Sequence, residues 1–135
     1  MQYLTIISNF IYLFCGFYLL YKKHYFYGLL GFVIFLISHI YHCDEINSDN
    51  LWNWKMNCDM IISSICFIIV LINCHPILLC MKNLFLLFLL FSLFLISWYY
   101  YYKDSNTYYI LHSLWHVFSA LFILYLIINF HNKFD

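Results

Sequence analysis

Apolar residues run along this chain in long blocks, broken by short polar punctuation. No Asp, Glu, Lys or Arg falls within residues 3–21, 60–81 or 105–132. A helix of about 20 apolar residues crosses the ~30 Å hydrocarbon core of a bilayer, and each charge-free run is about that long. The pattern predicts an all-α, polytopic transmembrane helix bundle of about five spans, at 3–21, 25–43, 58–73, 77–101 and 108–130. Tyr21-Lys22-Lys23-His24 ends the first span. A polar loop is expected from Asp44 to Asn57, holding Asp44, Glu45, Asn47, Ser48, Asp49 and Asn50. Asn73-Cys74-His75-Pro76 is the next break, because proline lacks a backbone donor and disfavours helix in the residue before it. Lys103-Asp104-Ser105-Asn106-Thr107 is the last turn. There is no internal repeat and no linker, so residues 1–135 are expected to form a single transmembrane domain. Met1, Gln2 and Tyr3 lack the basic character of a cleaved signal, and the first span is expected to be retained.

Composition agrees with that pattern. Apolar residues make up 66% of the chain and charged residues 9%, against roughly a quarter charged in a soluble domain. The formal net charge is zero, from six lysines and six carboxylates. That excludes the basic surface a nucleic acid partner needs. Most of the six cysteines lie in apolar spans, where a free thiol behaves as a small hydrophobe. Cys43 and Cys58 differ, because they flank the polar loop. A bridge between them requires that loop to face an oxidising compartment.

Helices that alternate in direction assign every loop to one of two faces. The N-terminus, the 44–57 loop and the 102–107 turn share face A; the other loops and the C-terminus share face B. Face B carries Lys22, Lys23, Lys82 and Lys133, and face A only Lys55 and Lys103. Because basic residues favour the cytoplasmic side, face A is expected to be outside or lumenal and the C-terminus cytoplasmic. The membrane is then the plasma membrane or an endomembrane.

The histidines divide between the same faces. His24, His75 and His131 fall at span ends on face B, where interfacial imidazoles need no further role. His39, His42, His112 and His116 fall near face A. His112 and His116 stand four apart, so they share one side of the fifth helix with Cβ atoms about 5–6 Å apart. Ser38 and His42 have the same spacing at the end of the second span, whereas His39 points elsewhere. Asp59 opens the third span, with Ser63 one turn deeper. The second span ends at face A, and the third and fifth begin there, so these residues can meet at one depth. Three imidazoles leaving a fourth position open is a catalytic zinc pattern. Asp59 would orient a reacting water or take its proton, and Ser38 would hydrogen-bond that water or a developing oxyanion. Tyr99 to Tyr102 form an interfacial aromatic belt. Two histidines on one helix face cannot straddle a haem, which argues against axial ligation.

Ser38-x-x-x-His42 with Cys43-Asp44, then Cys58-Asp59, then His112-Ser113-x-Trp115-His116, resembles the CREST superfamily of alkaline ceramidases and adiponectin/progestin-type receptors. The segments Tyr41-His42-Cys43-Asp44 and His112-Ser113-Leu114-Trp115-His116 are most similar to the branch with myomaker and the GPI-cleaving phospholipase of the A type. The resemblance covers about residues 25–130, with fewer spans than family members carry. It implies zinc on His42, His112 and His116, completed by Asp59 and Ser38. It also implies hydrolysis of a membrane lipid amide or ester, with access from the bilayer where helices are lacking. The alternative is a non-catalytic membrane-remodelling or fusion factor with a structural zinc site. Lipid identity and oligomeric state are left open.

Overall fold

A computed structural model describes residues 2–47 and 54–134. Its elements are α1 (Tyr3–Tyr21), α2 (Tyr25–Asn47), α3 (Trp54–Asn73), the single turn α4 (His75–Leu78), α5 (Met81–Tyr101) and α6 (Ser105–Phe134). Five of them (α1, α2, α3, α5 and α6) are long and apolar enough to cross a bilayer. No strand occurs among the described residues. The burial pattern suits an apolar solvent. Phe14, Ile72 and Phe88 face outward, while Thr5, Asn9, Ser38 and Ser97 are buried. The chain is an integral membrane protein.

The helix ends depart from the sequence expectation in several places, three of them with a clear local cause. α2 continues through Asp44 and Glu45, which were expected in the loop. A Lys55–Asp44 ion pair of 2.6 Å and a His42–Glu45 contact of 2.9 Å occupy the two carboxylates, so the polar turn stays helical. The segment after Asn73 makes one turn, with Pro76 in its first positions, before α5 starts at Met81. Asn83 then donates from its amide to the Ile77 carbonyl at 2.8 Å, tying α4 to α5. α6 begins at Ser105, earlier than expected, because the Asp104 carboxylate accepts from the Thr107 hydroxyl and the Asn106 N–H. An acidic cap satisfies donors that a helix start leaves open, and those same bonds hold the Asp104 carboxyl below the usual range. Of the rest of the expected loop, 54–57 form the first turn of α3, which starts earlier than expected, and 48–53 lie outside the described residues. Cys43 and Cys58 are not bridged.

The turn from α1 to α2 is tight. The N–H of Lys23 bonds to the Leu20 carbonyl at 2.9 Å and that of His24 to the Leu19 carbonyl at 2.8 Å. This double closure needs a left-handed residue, here Lys23 with φ 65°. The two helices then approach through glycines. A Cβ added to Gly16 would lie 3.1 Å from the Gly28 carbonyl oxygen, and one on Gly31 would lie 3.2 Å from the Gly16 Cα. Small residues let helix backbones pack closely in lipid, where no hydrophobic drive exists between helices. Gly16→Val is expected to destabilise the protein by about 1–3 kcal/mol through overpacking. Denaturant titration in micelles reads this directly, and an unchanged midpoint would count against the close crossing.

Packing orders the spans as α3, α2, α1, α6, α5, an open curve rather than a closed ring. α2 and α6 both pack on α1, α3 packs on α2, and α5 packs on α6. Among the described residues α3 and α5 do not pack on each other, and α3 meets α6 only briefly. A cavity of about 290 Å³ lies inside the curve. Ser38, Asp59, His112 and His116 line its face A end, and Val70 and Ile127 line the end toward face B. At face B, α4 touches α3, α5 and α6 and so spans the gap between the two arms.

Candidate metal centre

Helix direction alone carries His42, His112 and His116 to one depth, and packing of α2 and α6 on α1 turns them toward each other. His42 is fully buried, His116 nearly so, and His112 is buried as well. Their rings form a near-regular triangle, with centroids 5.3 Å apart for His42–His112, 5.1 Å for His42–His116 and 4.6 Å for His112–His116. One nitrogen from each lies within 4.8 Å of the others, and this buried trio could hold a metal ion.

The outward nitrogens define the inward ones. His42 Nδ1 is 2.9 Å from Glu45 Oε2. An ionised carboxylate only accepts, so Nδ1 carries the proton and Nε2 keeps its lone pair. That Nε2 is buried and has no hydrogen-bond partner. His116 Nδ1 is 3.0 Å from Ser8 Oγ, and Ser8 donates its one proton to the Thr5 carbonyl at 3.0 Å. Ser8 therefore accepts from His116 Nδ1–H, again leaving Nε2 with a lone pair. His112 Nδ1 is buried and unpaired, and the ring stacks on Trp115 at 5.7 Å. Buried polar atoms normally have partners, and orphaned imidazole nitrogens at the centre of a histidine triangle are what a bound cation would satisfy. A neutral nitrogen donor set suits a borderline-soft metal.

Asp59 lines the same cavity but stands outside the trio, in the position of an outer acid. Its Oδ1 accepts from the Ser63 hydroxyl at 3.2 Å. Ser38, buried one turn from His42, also hydrogen-bonds the Asp59 carboxylate. Four of the five residues expected from the sequence, Ser38, Asp59, His112 and His116, thus line one cavity, with Ser38 acting on Asp59; the fifth, His42, joins them through the histidine trio. His39 packs instead against Phe10 and Phe35, with ring centroids 5.5 and 5.1 Å away. At face B, His24 and His131 are not scattered; their rings stack at 3.9 Å, because α1 and α6 are neighbours. Of the Tyr99 to Tyr102 run, Tyr101 turns inward to line the cavity rather than the interface.

Three residues that hold this site were not singled out from the sequence: Glu45, Ser8 and Thr5. Glu45 stands three residues after His42, a spacing that puts both on one helix side. Thr5, Ser8 and Tyr12 form a polar stripe within the otherwise apolar α1, and Tyr12 shares a 2.8 Å hydrogen bond with Ser119 of α6. A polar stripe at that spacing was the available signal. Comparison with family models, with characterised proteins and with solved structures returned no match.

Proposed function

We propose that this chain is a zinc-dependent integral-membrane hydrolase acting on a lipid amide or ester, a shortened relative of the CREST superfamily. The observation that carries the proposal is the buried imidazole triangle, set beside Asp59 at the polar end of an otherwise apolar cavity. His42, His112 and His116 would hold zinc as neutral imidazoles, and the ion would supply polarisation of a carbonyl oxygen and a water acidified toward neutrality. The remaining work falls to the chain. Asp59, positioned by Ser63 and Ser38, accepts the proton as water attacks the carbonyl carbon. It then returns the proton to the leaving nitrogen or oxygen as the C–N or C–O bond breaks, giving a carboxylic acid and an amine or alcohol. Ser38 lies at the same end of the cavity and works through Asp59, because the single proton of its hydroxyl goes to that carboxylate.

The open side of the helix curve supports a lipid as substrate. An acyl chain can slide between α3 and α5 from the bilayer without leaving apolar surroundings, while its polar linkage stops at the histidines. The lysine distribution supports an orientation with this end outside or in the lumen and the C-terminus in the cytoplasm.

Purified protein reconstituted in vesicles holding ester- and amide-linked lipids tests the proposal. Fatty acid release is expected after zinc loading, and chelation should abolish it. Metal-loaded protein that releases none from either class would leave the other reading, a membrane-remodelling or fusion factor with zinc as a structural staple.

A further inference from the structure

Resting on the reading of the triangle as a metal centre, we propose that Glu45 is its positioning residue, holding His42 through Nδ1 and offsetting the charge of the ion. Glu45 is 5% exposed, at the base of α2 where water is largely excluded. A buried carboxylate needs a compensating partner. Lys55 does not serve, because it pairs with Asp44 at 2.6 Å. Glu45 is partnered by His42, whose neutral ring donates Nδ1–H to Oε2 at 2.9 Å. Its other oxygen accepts from the Tyr41 hydroxyl at 3.4 Å. Tyr41 is itself buried. The carboxylate is thus fixed from both sides, and it fixes His42 in turn.

The three imidazoles are consequently unequal. His42 has an anionic acceptor behind it, whereas His116 has the neutral hydroxyl of Ser8. A carboxylate behind a ligating imidazole raises the basicity of the far nitrogen and locks the ring. His42 is therefore a stronger donor than His116. The charges also balance. A divalent ion on three neutral imidazoles brings two positive charges into a low-dielectric interior, and Glu45 with Asp59 supplies two negative ones. Asp59 is kept for the proton, and Glu45 holds the ion.

The test is metal affinity, read by competition with a chelator of known strength, together with the visible spectrum of the cobalt-substituted protein. Glu45→Gln keeps an acceptor for Nδ1–H and loses the charge; Glu45→Leu loses both. The expected result is weakening of metal binding within the about 10–100-fold range for such partners, Gln at the lower end and Leu at the upper. The cobalt bands should shift in both variants. Ser8→Ala should cost less than Glu45→Leu. Elution profile and helical circular dichroism identify any variant that has simply misfolded, and Glu45→Asp, the least disruptive change, should then keep part of the affinity. Wild-type affinity and an unshifted cobalt spectrum in folded Glu45→Gln and Glu45→Leu would overturn the role of Glu45 while leaving the metal centre standing. A wild-type protein that takes up no metal would overturn the centre and this role together.

Discussion

With His112 and His116 both replaced by alanine, the purified protein is expected to retain its helical fold and lose its metal. The two residues supply two of the three donors, from one side of one helix, and no other imidazole among the described residues approaches the cluster. His42 alone cannot close a coordination sphere that needs at least three protein ligands. Alanine is the best helix former, so α6 persists. The measurement is metal content of detergent-purified protein, from about one ion per chain in the wild type to near zero. A second readout is thermal stability. An ion at a thousand times its Kd adds about 4 kcal/mol to a protein that binds it only when folded, so added zinc should raise the melting temperature of the wild type and leave the variant unmoved. His24→Ala with His131→Ala, at the opposite face, is the control and should keep full metal. Equal metal in the wild type and the His112→Ala, His116→Ala variant would end the reading of this triangle as a metal centre.

Asp59→Asn has a different expected signature: metal stays and lipid turnover falls by about 10²–10⁴-fold, the usual contribution of a positioned acid–base group. The amide oxygen can still accept from Ser63 and Ser38, so the local hydrogen bonds survive. Only the capacity to take a proton is lost. Asp59 lies outside the histidine trio, which is why the two variants should separate. Turnover at the wild-type rate in Asp59→Asn would remove Asp59 from the mechanism. Loss of metal in the same variant would make it a ligand instead.

Much of this architecture was legible in the chain. Charge-free runs mark the spans because lipid tolerates no unpaired charge, and alternating helix direction then dictates which ends meet. That was enough to bring His42, Asp59, His112 and His116 together with Ser38. Two kinds of information were not legible. Glu45 and Asp44 looked like loop residues, since polarity beyond the last apolar turn does not reveal whether a partner will bury it. The partners came from elsewhere: Lys55 across the connection, and His42 one turn back. The role of α1 was hidden for a second reason. Thr5 and Ser8 are small and uncharged, so hydropathy treats them as part of an ordinary span, although they hold His116. The glycine crossing of α1 and α2 is a matter of distance between backbones, which spacing within either helix does not disclose.

The histidines and the acid ride on different parts of the molecule. Helices α2 and α6, which carry the imidazoles, are both packed on α1, whereas Asp59 sits on α3, an arm fastened chiefly along its α2 flank. The bilayer is thus a supporting wall for the acid but not for the ion. Swapping lipid for detergent, or changing membrane thickness, should disturb proton transfer well before it disturbs metal retention. A preparation that keeps its ion yet shows no turnover therefore calls for a different membrane before it calls for a different enzyme.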